Sequence, residues 1–498
     1  MESATAVAPG TEAPQLKKNA ITFISNLVIG ISSTAPGFSL ATTVGFIVAI
    51  GGIGLQAPAL MLVSFIPMFC IAVAYQAMNR ADPDCGTTFS WVTKAMGPQA
   101  GWLAGWGLLV ADWVVMVTQS NIAATYSLSL FGFDPSNVDV GWVIAIGVAW
   151  IILMTAICYI GIELSARTQQ FLLGAEILTL SIFAAVALYK VYADSPAGSI
   201  HVSAAWFNPF EIESPAALLD GLLLGVFLYW GWDSGVSVNE ETVDGSEAPG
   251  RAAVLSTILL LLIYLVVTAA AQAYAGEKAL VDNADDIFAG GLGQAVLGSG
   301  LDKLLIIAVL TSSAAATQTT ILPAARAALS MARKKAIPEY FGEIHHKHLT
   351  PGHSTLIFGA ASIPLFVGLK LWSDNVIADS LAACGFLVCF YYGLTGIACV
   401  IYYRKELLKS ASNFVKLGVL PLFGALVLLG VWIKCLTYYS DPGNSTSGKT
   451  LFGYGYPLVI GVGALLLGVM AMIYANVKHR AFFRENRPEV ASPDLLNS

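Results

Sequence analysis

The chain has 498 residues, of which 56% are hydrophobic and only 11% charged, where a soluble domain carries about 25% charge. That balance excludes an ordinary soluble protein. With a mean hydropathy of +0.71 and roughly 20 apolar residues per membrane crossing, the length holds about a dozen spans and no separate soluble domain. A net charge of −7, from 25 Lys and Arg against 32 Asp and Glu, gives no basic excess for nucleic acid. The partners expected are the lipid bilayer and a small-molecule substrate.

In chain order, the opening MESATAVAPGTEAPQL has no basic n-region, and the apolar stretch behind it reads as a retained membrane helix rather than a signal peptide. Apolar segments follow near 20–49, 55–79, 98–130, 140–161, 167–192, 216–240, 251–275, 302–333, 353–372, 375–403, 413–438 and 454–477. Twelve is an even number, so both tails share a side. Of the Lys and Arg residues only Lys190, Lys278, Lys303, Lys370, Lys434 and Lys449 fall on the opposite side, and the positive-inside rule makes both termini cytoplasmic in a plasma membrane. Asp134, Asp139, Asp194, Glu211, Glu213, Asp282, Asp285 and Asp286 fall in the outer loops and read as a solvated face.

The remaining polar punctuation is structural. Cys70, Cys158, Cys384, Cys389, Cys399 and Cys435 lie in apolar runs and Cys85 in a loop, with no CxxC pair and no Cys/His spacing for a metal. His345, His346, His348 and His353 share a basic loop with Lys347, which suits a solvated loop facing lipid headgroups. Asn444-Ser445-Thr446 spells a glycosylation sequon in an outer loop. The end of the chain from residue 488 is expected to be disordered.

Two spans are interrupted, the first by Ser32-Ser33-Thr34-Ala35-Pro36-Gly37 and the sixth by Gly231-Trp232-Asp233-Ser234-Gly235. Breaks five helices apart are the sequence sign of an inverted-repeat transporter with its site at the midplane. A half-helix starting near Gly37 turns its positive dipole end inward and suits a carboxylate. One ending near Tyr229 to Gly231 presents carbonyls that suit an ammonium or a metal cation. Phe227, Trp230 and Trp232 beside the second break are candidates for the side-chain pocket or a gate.

Three fragments carry a family likeness. One is Ala81-Asp82-Pro83-Asp84-Cys85-Gly86-Thr87-Thr88-Phe89-Ser90-Trp91 running on to Gly97-Pro98, Gly101 and Gly105-Trp106. The second is FLYWGWDSGVSVNEE, from Phe227 to Glu241. The third joins Ala325-Arg326, Met331-Ala332-Arg333 and Ile337-Pro338. In this order they resemble the amino acid, polyamine and organocation transporter superfamily. The resemblance implies an all-α integral membrane fold of twelve transmembrane helices, a five-plus-five inverted repeat like that of LeuT with helices 1 and 6 interrupted, followed by two more helices, and transport by alternating access. The layout expected is a tail (1–19), a first repeat (20–192), an outer loop (193–215), a second repeat (216–403), two further helices (404–477) and a second tail (478–498). Where such relatives have a glycine-rich GxG at the first break, this chain has Thr34-Ala35-Pro36. Pro36 lacks an amide hydrogen, so a substrate carboxylate is expected at Gly37, Ala35, Ser33 or Thr34. Glu241 and Arg251 are gate candidates.

Ionisable groups at membrane depth are functional candidates by default. Asp233 in the second break suits a structural or gating role, and Asp112 faces either the substrate path or a neighbouring helix. Glu176 stands where several proton-coupled relatives have a span 5 lysine in place of sodium. It either exchanges a proton during the cycle or stays ionised beside Na⁺. Leu310-Thr311-Ser312-Ser313 supports the second option, because it resembles the stretch whose hydroxyls ligate sodium in LeuT-fold symporters. The expected function is import of an amino acid by a secondary transporter coupled to H⁺ or Na⁺, with no cofactor and no enzymatic activity. A polyamine or organic-cation carrier or exchanger is the alternative, and a non-transporting nutrient sensor the alternative from another class.

Overall fold

The computed structural model describes residues 14–284, 286–372, 374–445 and 449–491. Asp285, Thr446 of the sequon, residues 1–13 of the first tail and 492–498 of the second lie outside the described residues. Twelve helices are long and apolar enough to cross a membrane. They are span 1 (Phe23–Ala49), span 2 (Gly54–Ala81), span 3 (Pro98–Leu130), span 4 (Val140–Ile160), span 5 (Ile162–Ala193) and span 6 (Pro215–Glu241). Span 7 (Ala248–Asp282), span 8 (Lys303–Arg333), span 9 (Gly352–Trp372), span 10 (Ala382–Tyr402), span 11 (Ala411–Tyr438) and span 12 (Tyr456–Lys478) complete the set. The protein is an all-helical, multi-pass membrane protein. Among the described residues the strand content is one small hairpin, Thr450–Leu451 against Tyr454–Gly455.

Local sequence explains where the helices start and stop. Spans 3, 6, 7 and 12 carry proline in their first turn, as does the helix Ala57–Ala81 of span 2, where a missing amide hydrogen costs nothing. Ser214 caps span 6 by accepting from the Ala217 amide, and Asp139 caps span 4 through Gly141. The helices sort into two layers. The most apolar window of span 1 is 78% buried and that of span 8 is 72%, against 33% for spans 4 and 9 and 17% for span 12. Span 8 can sit at the centre because Ser312 to Ala332 is largely Ala, Ser and Thr and buried throughout, so neighbouring helices approach closely. It packs along spans 3 and 5, while span 3 also lies against span 10.

Spans 1 and 6 are interrupted. Span 1 is two helices, Phe23–Ser33 and Pro36–Ala49, joined through Ala35 at φ 47° and ψ 63°. Pro36 cannot donate to the preceding turn, which ends the first helix there. Span 6 is helical from Pro215 to Tyr229, turns at Gly231 (φ 122°), and continues as short 3₁₀ turns, Trp232–Gly235 and Asn239–Glu241. The two breaks touch. A Cβ on Gly231 would lie 2.6 Å from the Ser33 carbonyl oxygen, so only glycine fits. Below the breaks the two halves are stitched together: Asn26 Nδ2 donates to the Gly235 carbonyl at 2.7 Å, and the Ala20 and Ile21 amides donate to the Glu241 carbonyl at 2.8 and 3.1 Å.

Both tails pack at the same end of the bundle. Leu16 lies with Cys85, Leu329 and Ile344. Phe482 stacks on Phe89 and Phe483 lies near Trp102, at centroid distances of 5.6 and 6.1 Å. Beyond them the chain is held by hydrogen bonds from the Glu489 amide to the Lys94 carbonyl and from the Ala491 amide to the Tyr402 carbonyl. Residues 488 to 491, expected to be disordered, are therefore docked.

Candidate functional site

The amide hydrogens at the first break can be accounted for one by one. Thr34 donates to Ile31 O and Ala35 to Ser32 O, Pro36 has none, and Ser39 donates to Ala35 O. Gly37 donates to Glu176 Oε1 at 2.6 Å, and Phe38 to the Ser312 hydroxyl at 3.2 Å. The dipole end that the sequence offered to a substrate carboxylate thus already holds a carboxylate, supplied by span 5. Gly37 and Ala35 have no amide left for a ligand.

Glu176 is fully buried, and its Oε2 has no hydrogen-bond partner among the described residues. Ser312 borders the same carboxyl. Thr311 does not join them, because its hydroxyl turns back to Ile307 O and Ala308 O, the usual habit of a helical threonine. Of the expected ion-coupling trio, Glu176 and Ser312 come together and Thr311 stands apart.

At the second break Trp230 Nε1 donates to the Tyr391 hydroxyl at 2.5 Å, and that hydroxyl lies 3.3 Å from Asp233 Oδ2. Asp233 is buried against this span 10 tyrosine. Trp232, expected at the pocket, packs into the core instead, with ring centroids 5.0 Å from Tyr75 and 5.2 Å from Tyr392.

A narrow cavity lies between the breaks. Ser33, Thr34 and Ser39 from span 1 line it, as do Phe227, Trp230, Gly231 and Ser234 from span 6, Asp112, Val115 and Gln119 from span 3, and Ala316 and Thr320 from span 8. The Ser33 and Ser234 hydroxyls meet across it at 2.8 Å. Asp112, left open between two orientations by the sequence, faces this cavity. It is 4% exposed, and its Oδ2 has no partner among the described residues. Ala35, Gly37, Trp232 and Asp233 are not among the lining residues. Sequence reasoning missed Gln119, although it stands seven residues after Asp112 and so on the same helix face.

At the end of the bundle that carries the tails, ion pairs tie span 8 to span 6 and to the loop after span 2, and the pair to Glu241 is buried. Arg326 Nε donates to Glu241 Oε2 at 2.7 Å, and both side chains are buried. Of the two gate candidates, Glu241 takes Arg326 as its partner, while Arg251 lies over the Phe23 ring at 5.9 Å. Arg333 pairs with Glu240 at 2.8 Å and Lys334 with Asp84 at 3.2 Å. Burial opposes the charge of Asp84, but Lys334, the Ser330 and Ser90 hydroxyls and the Gly86 amide hold its carboxyl down at about 2. Asp84, Cys85 and Glu240 lie close enough to share a metal ion. Their acids already face Lys334 and Arg333, so the cluster reads as a latch. The sequence marks Arg326 and Arg333 as part of a family-like fragment, but no spacing rule links them or Lys334 to their acidic partners far away in the chain.

The histidine loop is tied up by its own contacts. His345 Nδ1 accepts from the Lys347 and His348 amides, and His353 meets Glu343 at 3.0 Å while stacking on Tyr340. Asn444 of the sequon sits in an exposed turn.

Comparison with known proteins follows the same lines. The description of the amino acid permease family matches residues 20–465. The chain is 23% identical over 433 residues to the low-affinity putrescine importer PlaP of Escherichia coli K12, covering 86% of this chain and 91% of that protein. It is 23% identical over 486 residues to an arginine/ornithine antiporter of Latilactobacillus sakei, covering 94% and 97%. It is also 24% identical over 423 residues to the human Asc-type amino acid transporter 1, covering 82% and 74%. With a match across nearly all of its spans, the chain belongs to the amino acid permease family and is a secondary transporter rather than an enzyme.

Proposed function

We propose that this transporter imports a small solute bearing an amino group by alternating access about the paired breaks of spans 1 and 6, driven by a cation that neutralises Glu176. The observation that carries the reading is the Glu176 carboxyl seated on the Gly37 amide. A buried carboxylate with no cationic partner is costly, and here it sits on the hinge of span 1, so its neutralisation and the movement of that hinge are linked. The proton is the favoured coupling ion. Glu176 is buried with its Oε2 unpartnered among the described residues, an atom that can take up a proton directly.

The touching breaks also support the division into repeats at 20–192 and 216–403, with spans 11 and 12 outside them. Six basic residues on one side against the rest on the other favour cytoplasmic tails in a plasma membrane. The ion-paired latch then lies on the cytoplasmic face, where it holds the inner gate shut.

The test is solute uptake into proteoliposomes across a pH series in sodium-free buffer. Uptake should persist without sodium and collapse with a protonophore. Glu176→Gln should lose accumulation against a gradient while abundance is unchanged. Full accumulation by that variant refutes the coupling role, and binding of solute without any flux by the unaltered protein selects a sensor.

A further inference from the structure

We infer that an anionic phospholipid, from the leaflet on the side of the tails, binds between spans 4 and 9 with one acyl chain in the groove between them and its phosphate against the histidine loop. The site is separate from the cavity between the breaks and does not depend on which solute crosses there.

Spans 4 and 9 belong to the outer layer of the bundle, so the groove between them faces lipid. It runs from Ile151 to Ile160 on span 4 and from Leu356 to Ile363 on span 9, and its lining is apolar apart from Thr155 and Tyr159. Ala156, Gly359 and Ala360 keep it open, because larger side chains there would fill it. Nine residue steps make it about 14 Å long, close to one leaflet of a hydrocarbon core about 30 Å thick. A volume of about 300 Å³ over that length is a bore for a single hydrocarbon chain. A partner helix, about 10 Å across, would cover the groove rather than fill it.

At its tail-side end the groove adjoins a second space of about 540 Å³, and Tyr159 and Leu356 line both. Pro14 of the first tail borders that space, as do His345, His346 and His353 of the loop after span 8. The loop is pinned beneath span 4, where the Thr350 hydroxyl donates to Tyr159 O and His348 Nδ1 meets Ile160 O, each at 2.9 Å. The Tyr159 ring lies against His345 and His348, at centroid distances of 5.3 and 5.5 Å. Because His345 Nδ1 accepts from two backbone amides, its proton sits on Nε2 as a donor. His346 and Lys347 are exposed beside it. Partial burial first, and then the neighbouring His348, His346, Lys347 and His353, hold the His345 imidazole below its ordinary value. The one acid among the described lining residues, Glu343, already faces His353 at 3.0 Å. A phosphate brings both negative charge and acceptor oxygens to this cluster. An amphiphile matches the two spaces at once, with its anion in one and its hydrocarbon in the other.

The experiment is native mass spectrometry of the purified full-length protein in detergent, titrated with phosphatidylglycerol or with phosphatidylcholine of the same acyl chains. Glycerol 3-phosphate serves as the headgroup without chains. Phosphatidylglycerol should fill one saturable site at a concentration at least fivefold below phosphatidylcholine, and a tenfold excess of glycerol 3-phosphate should not displace it. His346→Ala combined with Lys347→Ala should bring the two lipids together. Ala156 and Ala360 are exposed, so Ala156→Trp and Ala360→Trp fill the groove without entering the core, and each should weaken both lipids at least tenfold. Equal affinity for the two lipids, or displacement by glycerol 3-phosphate, overturns the inference, and neither result depends on a variant folding. Undiminished binding of phosphatidylglycerol by both tryptophan variants overturns it too. So does a dimer that Ala360→Trp breaks, which makes this face a contact between copies of the chain.

Discussion

Gly231 is the residue on which the site's geometry rests most directly. Its φ of 122° and the absent Cβ let the second break lie on the carbonyl of Ser33. Gly231→Ala imposes both a strained backbone, about 1–3 kcal/mol, and a clash with backbone that cannot rotate away. The expected outcome is a lower melting temperature of the purified protein together with loss of solute binding. Gly37 is a milder case, since an added Cβ would meet Ala308 O and Glu176 Oε1 at 3.3 Å. At this scale the sequence was a partial guide. Pro36 and Gly231 announced the breaks through backbone chemistry alone, and Glu176 and Asp112 stood out because charge is rare at membrane depth. That Glu176 and Gly37 meet, 139 positions apart, depends on how span 5 leans on span 1, and no local pattern encodes that.

Between elements, the Glu241–Arg326 pair fastens the second half of span 6 to span 8. Removing one partner of a buried pair leaves the other charge stranded, at a cost of about 3–5 kcal/mol. Arg326→Ala should therefore lower the melting temperature markedly, and Arg326→Met combined with Glu241→Leu should recover much of the loss. Cys85 offers a second readout, because it is buried beneath this latch and should react faster with a membrane-permeant maleimide in Arg326→Ala. The choice of Arg326 over Arg251 shows what chain proximity cannot decide. Arg251 is near Glu241 in sequence, but it begins span 7 and points to Phe23, whereas Arg326 faces span 6 from the buried centre of the bundle. The spans themselves were legible to within a few residues at most boundaries because their length is fixed by the bilayer rather than by any partner.

For the whole molecule, the latch sets a pH limit. Asp84 has its carboxyl held at about 2 in the folded protein, against about 3.9 for an unfolded aspartate. Its folded value is depressed, so its contribution is fully present above about pH 4 and is lost as pH falls through about 2. The Asp84 contacts are therefore constant between pH 5 and 8, so any acid stimulation of uptake in that window arises elsewhere than at Asp84. The docked tail carries a practical consequence. A protein cut after Lys478 would keep all twelve spans, yet it would strip Phe482 and Phe483 from Phe89 and Trp102 and leave an oily patch facing water. Affinity or fluorescent fusions for the assays above therefore belong beyond Ala491, because a shorter splice would report on a molecule prone to self-association.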